Sequence, residues 1–453
     1  MCGIIGIFGN ENAANLATLG LFAEQHRGQE SCGMAVNDGT TIKLRKKMGL
    51  VKDVFTPDKL KNLPGNIAIG HVRYPTRGAS SVYNSQPHIV ETLSGPSYAL
   101  SSNGDIVNYN EIRSWLENKG VYFTSTNDGE LILKYIVYHV ERKNISIIDS
   151  IRKLMKNVKG AFSTILATKT EMYLFRDAYG LRPMSYGLTK EGSIVVASES
   201  CALDILYMDW KAEVKPAEII VVNENGISNL ETDPNEYRST TSNKHCIFEH
   251  IYFSRPDSIM FEENVFEVRE KIGACIALND DIDPDAVVPV PDSSNFIALG
   301  YAKYKQKPYE MGLIRNHYVG RTFIKPEQTI RDESVYQKFN PLPNFFKDKV
   351  VVLIDDSIVR GTTLRKIVKL VKNAGAKEIH LRIGSPPVKH SCFYGIDTPT
   401  QKELIANSKS VSEINDFIGS DSLKYFRMTD LEKVVKKPDN YCYACFDGRY
   451  PIK

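Results

Sequence analysis

The 453-residue chain carries 57 Lys and Arg against 54 Asp and Glu, a net charge of +3, and is 42% hydrophobic. That length holds two or three ordinary domains with their own cores, and so even a charge balance excludes a nucleic-acid footprint, leaving Lys43-Leu44-Arg45-Lys46-Lys47 as solvated surface. No apolar run reaches the length of a membrane span, the start lacks the basic and apolar regions of a secretory signal, and eight scattered cysteines form no disulfide framework; a reduced, cytoplasmic protein is expected.

From residue 66 to 198 short β-branched or aromatic runs alternate with Gly-, Asn- and Ser-rich turns, as in Asn66-Ile67-Ala68-Ile69-Gly70-His71-Val72-Arg73 and Tyr98-Ala99-Leu100-Ser101-Ser102-Asn103-Gly104. Helical patterns fall at 110–119 and 128–141. The grouping predicts layered sheets flanked by helices, an α+β arrangement. Polar residues dominate 231–244, which reads as a connection between domains spanning 2–235 and 246–453. Beyond it, apolar strands at 286–290 and 350–354 alternate with helical stretches at 294–305 and 363–374, the rhythm of a parallel α/β sheet.

Cys2 is the first candidate for chemistry. Removal of Met1 leaves it with both a thiol and an α-amine, and an amine that titrates near neutrality can take the thiol's proton. An isolated Met-Cys is more often an accident of the start; here Cys2-Gly3-Ile4-Ile5-Gly6 runs straight into a strand that holds the terminus. Attack on a carboxamide also needs an oxyanion hole, which Asn103 and the Gly104 N–H can provide. Arg73 suits an α-carboxylate and Asp128 an α-ammonium. The segments around these residues, with Gln25-His26-Arg27-Gly28-Gln29-Glu30-Ser31, resemble the signature of the N-terminal-nucleophile (Ntn) glutamine amidotransferases. The resemblance implies an αββα glutaminase domain, with Cys2 as nucleophile, Asn103 and Gly104 as oxyanion hole, and Arg27, Arg73 and Asp128 around the glutamine.

The second constellation is Val350-Val351-Val352-Leu353-Ile354-Asp355-Asp356-Ser357-Ile358-Val359-Arg360-Gly361-Thr362-Thr363. An apolar strand delivers two acids to its carboxyl end, and a Ser/Gly/Thr loop then opens a helix whose N–H groups suit a phosphate. The acids suit ribose hydroxyls, Mg2+ and positive charge on a ribose ring. This run resembles the phosphoribosyl pyrophosphate (PRPP) motif of the type I phosphoribosyltransferases, which implies PRPP contacts from Asp355, Asp356, Ser357, Arg360, Gly361, Thr362 and Thr363. Val290-Pro291-Asp292-Ser293-Ser294 resembles their pyrophosphate loop, which adds Ser293 to Asp355 and Asp356 around one Mg2+. Residues 315–323 resemble their closing loop, and a lid over 315–326 is expected.

Both motifs in this order, together with Arg176-Asp177-Ala178-Tyr179-Gly180-Leu181-Arg182-Pro183 and Tyr252-Phe253-Ser254-Arg255-Pro256, resemble the glutamine PRPP amidotransferase family over nearly the whole chain. The implied reaction is glutamine + PRPP + water → 5-phosphoribosylamine + glutamate + pyrophosphate, the first step of purine synthesis. A homotetramer inhibited by purine nucleotides is implied with it. An idle sensor on the same scaffold would dispense with Cys2, Asn103 or Asp355; all three are present.

Cys442-Tyr443-Ala444-Cys445 is a C-x-x-C pair, which spacing alone leaves open to zinc, redox chemistry or no role, with zinc favoured. With Cys246 and Cys392, these cysteines resemble the iron–sulfur branch of the family, which implies four thiolates on a [4Fe–4S] cluster. Cys32, Cys201 and Cys275 fall in helical or strand patterns and read as buried thiols.

Overall fold

The computed structural model of the chain describes residues 1–75, 77–93, 95–230, 232–318 and 337–452. Among these residues the first half forms two antiparallel sheets. One runs Trp210–Glu213, Ser185–Leu188, Ile194–Ala197, Gly3–Phe8, Ile67–Arg73, Ser31–Asn37, Ile42–Met48. The other runs Gly226–Leu230, Ile219–Asn223, Met172–Arg176, Gly160–Ala167, Gly95–Ile106, His88–Thr92. Period-2 side chains explain the layering. Ile4, Ile69 and Val196 of the first sheet meet Ala99, Ile165 and Ile220 of the second in a dry core between them. The opposite faces carry helices: Ala13–Ala23 covers Ile5, Ile7 and Val72, and Tyr109–Glu117, Asp128–Lys143 and Ile147–Asn157 cover Leu100, Phe162 and Leu166. The expected αββα layers result.

The helix Asp128–Lys143 shows why its start is fixed. The Asn127 side chain accepts from the Gly129 N–H, acids occupy the first turn, Arg142 and Lys143 the last, and Asn144 ends it in the left-handed region.

In the second half four parallel strands lie in the order Ala286–Pro289, Val350–Asp355, Glu378–Ile383, Ser422–Tyr425. Val352 and Ile354 face a core shared with helices Val265–Leu278 and Asn295–Lys305. Val351 and Leu353 face a second core under Thr362–Asn373 and Val411–Ile418. Burial on both faces is why these strands read as continuous apolar runs. A short parallel ladder of His245–Cys246 with Tyr441–Cys442 ties the C-terminal segment to the start of this half.

Candidate active sites

Cys2 sits at the edge of the strand Gly3–Phe8 and is buried. Its backbone N–H donates to Asn103 Oδ1 at 3.0 Å, and the Tyr74 N–H approaches its Sγ at 3.5 Å. With Oδ1 so engaged, Asn103 Nδ2 is buried and has no partner among the described residues. A buried amide donor left unmade is costly, and Nδ2 is available to an external oxygen. Gly104 follows on the same strand, opposite Phe162 in the register. A methyl at position 104 would lie 1.8 Å from the Ala161 carbonyl oxygen, so only glycine fits. Burial pushes the Cys2 thiol up, against the opposing pull of neighbours that include Arg73. Burial also lowers the Met1 amine to about 5.

Arg27 is fully buried behind Cys2. Its Nε donates to the Cys2 carbonyl oxygen at 2.9 Å, and its remaining donors reach Glu199 at 2.5 Å and Glu249 at 2.9 and 3.0 Å. Arg73 pairs with Glu30 and donates to the Arg77 carbonyl at 2.9 Å, bracing the loop that follows its strand. Asp128 is buried at its helix N-terminus; burial, then the nearby Asp105, raise its carboxyl to about 7, while Arg77 opposes them. Arg77 itself is bonded to Asp105 at 2.7 Å. Sequence reasoning missed Glu249, Arg77 and Asp105. Asp105 follows Gly104 directly and was within reach of that motif; Arg77 and Glu249 carry no local signal.

The second site lies at the carboxyl end of the strand Val350–Asp355. Asp355 Oδ1 accepts from the Asp356 N–H at 2.9 Å, and the two oxygens of Asp356 accept from Ser293 and Ser357 at 2.6 Å each. Burial, then the adjacent Asp356, hold the Asp355 carboxyl well above its usual range; burial raises Asp356 as well. Two acids that resist sharing charge are a receptive pair for a cation. Gly361, at φ +75°, turns the chain into the helix Thr362–Asn373, setting Thr362 and Thr363 at its first turn. Arg360 is exposed and pairs with Glu403 at 2.8 Å. Of the expected lid, Arg315 pairs with Asp292 of the pyrophosphate loop; residues 319–326 lie outside the described residues.

The cysteines converge as a third group. Cys246 and Cys442 are register partners on the parallel ladder, and the Cys445 carbonyl accepts from the Lys389 and His390 N–H groups at 2.9 and 3.0 Å. Burial, then charge from Cys246, Cys442 and Cys392, raises the Cys445 thiol well above its usual range. Among the described residues, no three His, Cys, Asp or Glu side chains close round a single metal-sized point. Cys32, Cys201 and Cys275 are buried in a strand and two helices apart from this group. A cavity of about 810 Å³ opens elsewhere, beside Lys211, Glu213, His245 and Lys436, and contains none of the candidate catalytic residues.

Residues 78–204 match a glutamine amidotransferase domain family and residues 262–383 a phosphoribosyl transferase domain family. The chain is 45% identical over 455 residues to amidophosphoribosyltransferase 1, chloroplastic, of Arabidopsis thaliana, covering 100% of this chain and 79% of that protein. It is 43% identical over 468 residues to amidophosphoribosyltransferase of Methanocaldococcus jannaschii, covering 100% and 98%. Among solved structures it is similar to the glutamine PRPP amidotransferase from B. subtilis complexed with ADP and GMP. That similarity has TM-score 0.91 and 40% identity, and covers 100% of this chain and 98% of that one.

Proposed function

The chain belongs to the amidophosphoribosyltransferase family, and from that premise we propose how its two sites divide the reaction. The overall chemistry is glutamine + PRPP + water → 5-phosphoribosylamine + glutamate + pyrophosphate, a pentosyl transfer that opens purine nucleotide synthesis. Domains at 2–235 and 246–453 each carry one half of it.

In the first, cleavage of the Met1–Cys2 bond gives Cys2 the free α-amine that serves as its base. The thiolate attacks the glutamine carboxamide, Asn103 Nδ2 and the Gly104 N–H receive the oxyanion, and ammonia leaves as a thioester forms; water then releases glutamate. Asp128 takes the substrate's α-ammonium and Arg73 its carboxylate, while Arg27 holds the Cys2 carbonyl from behind. The observation that carries this reading is Asn103, whose Oδ1 fixes Cys2 while its Nδ2 stays buried without a partner.

In the second, Asp355 and Asp356 hold the ribose hydroxyls and Ser357, Arg360, Gly361, Thr362 and Thr363 the 5-phosphate. Ser293 and Asp356 are joined at 2.6 Å and Asp355 adjoins them, an oxygen donor set that would hold one Mg2+ and through it would offset the charge of the pyrophosphate leaving group. Ammonia then attacks the ribose carbon that pyrophosphate leaves, without escaping into water where it would protonate.

Cys246, Cys392, Cys442 and Cys445 are an all-sulfur donor set suited to a [4Fe–4S] cluster, whose part is to pin the C-terminal segment. Purine nucleotides are the proposed feedback inhibitors and a homotetramer the proposed assembly. The cytoplasm is the proposed compartment; none of the eight cysteines is in a disulfide, which suits reducing conditions.

Glutamate release with and without PRPP tests the scheme. Cys2→Ala is expected to abolish glutamine-dependent turnover and to leave turnover with ammonium salts at the parental rate. Glutamate release from that variant at the parental rate would overturn the assignment.

A further inference from the structure

The oxyanion hole has a wall that the reaction scheme does not use. Gly104 packs closely on the Ala161 carbonyl, and Gly395, in the loop that follows Cys392, comes up against the Gly104 carbonyl group. Gly395 lies at φ +99°, and a methyl there would meet the Gly104 carbon and oxygen at 2.9 Å each. These are backbone atoms, which cannot swing aside as a side chain would. The loop is itself anchored at the cysteine site. Cys392 Sγ accepts from the Tyr394 N–H at 3.3 Å, and the Cys392 N–H donates to Thr398 Oγ1 at 2.7 Å. The Tyr394 hydroxyl donates to the Ile452 carbonyl at 2.7 Å and accepts from the Ile452 N–H at 3.0 Å. Ala161, Tyr179, Leu181 and Tyr394 form one small core, with Cys392 and Cys442 packed against it. The backing of Gly104 and two of the converging cysteines therefore share the same packed unit.

We propose that the Cys392 loop is the structural back of the oxyanion hole, with Gly395 and Tyr394 as positioning residues for the glutamine reaction. Interiors are close-packed, so a shift of Cys392 passes to Gly104 through backbone contact rather than dissipating. An oxyanion donor works only when held where the charge develops, and losing one outright lowers turnover by about 10²–10³-fold. Displacing Gly104 lowers kcat more than it changes affinity, because Arg73 and Asp128, which hold the head group, stand on other elements. None of the four residues of this small core is a candidate PRPP contact, so turnover with ammonia is expected to stay at the parental rate.

The inference rests on Gly104 being part of the oxyanion hole, and the experiment separates the two ideas. Gly395→Ala is expected to lower the glutamine-dependent kcat at least about 10-fold, with the KM for glutamine within about 2-fold and the ammonia-dependent rate unchanged. Tyr394→Phe, which keeps the ring and loses both hydroxyl bonds, shifts kcat the same way by a smaller factor. Hydrogen exchange at residues 103–105 is expected to quicken in both variants, and in the parental protein once its cysteine-bound metal is stripped. Parental glutamine kcat and unchanged exchange in both variants would overturn the inference, as would a fall in ammonia-dependent rate in step with the glutamine rate. If Cys2→Ala is dead while Gly395→Ala runs at the parental rate, only this inference falls; if Cys2→Ala still hydrolyses glutamine, the site assignment falls and takes the inference with it.

Discussion

Asp128 shows how one side chain can tie substrate binding to pH. Its carboxyl is raised to about 7 because burial and then Asp105 oppose its charge, which Arg77 only partly offsets. The proposed contact with the glutamine α-ammonium needs the ionised form, so the KM for glutamine is expected to fall as pH rises from 6 to 8. Asp128→Asn should raise KM and flatten that dependence. The same shift bears on stability. A carboxyl whose folded pKa is raised favours the fold fully below its unfolded pKa of about 3.9, and that contribution is lost as pH rises through the folded value. Asp128→Asn should therefore raise the melting temperature of the ligand-free protein at pH 8 and leave it unchanged at pH 4. A KM profile in the parental protein that is flat across that range would overturn the role given to Asp128.

At the scale of an element, the strand Val350–Asp355 and the turn after it combine two demands. The strand must be apolar to sit between two cores, yet its end must carry two acids where the sheet opens. The strand–turn–helix geometry resolves this, since the carboxyl ends of parallel strands are where such folds leave room for a ligand. Replacing both acids, Asp355→Asn with Asp356→Asn, is expected to remove synthesis from ammonia and from glutamine alike, because both nitrogen sources meet the same ribose. Removing two carboxyls that resist ionisation should not unfold the sheet, and the circular dichroism should match the parent. Ammonia-dependent activity retained in the double variant would contradict the assignment.

Across the whole molecule, residues of the second half complete the surroundings of the first site. Glu249, in a short helix over Glu249–Phe253, grips Arg27, which grips Cys2. Arg182, from the first half, lies 3.6 Å from Glu249, and burial opposes its charge while Cys246, Glu249 and Cys392 sustain it. The cysteine group thus sits where the two halves meet rather than at an isolated end. Anaerobically purified protein is expected to be brown and to carry about four irons and four acid-labile sulfides per chain. Stoichiometric zinc without sulfide would replace the cluster with a single-ion site.

The amino-acid sequence by itself determined the layers and the chemistry-bearing motifs. The strands expected at 66–73 and 350–354 form as Ile67–Arg73 and Val350–Asp355, and the helix expected at 128–141 as Asp128–Lys143, because periodicity and capping are properties of neighbouring residues. The candidates Cys2, Asn103-Gly104 and Asp355-Asp356 stood out for the same reason, each being a run whose proposed chemistry lies in adjacent residues. The tertiary structure alone decided that Glu249, 222 positions away, holds Arg27, that burial, with Asp105 and Arg77, shifts the Asp128 carboxyl, and that Gly395 closes on Gly104. A lone glutamate or glycine carries no local pattern, and its partner is fixed only when two sheets, a ladder and a C-terminal loop pack into one another.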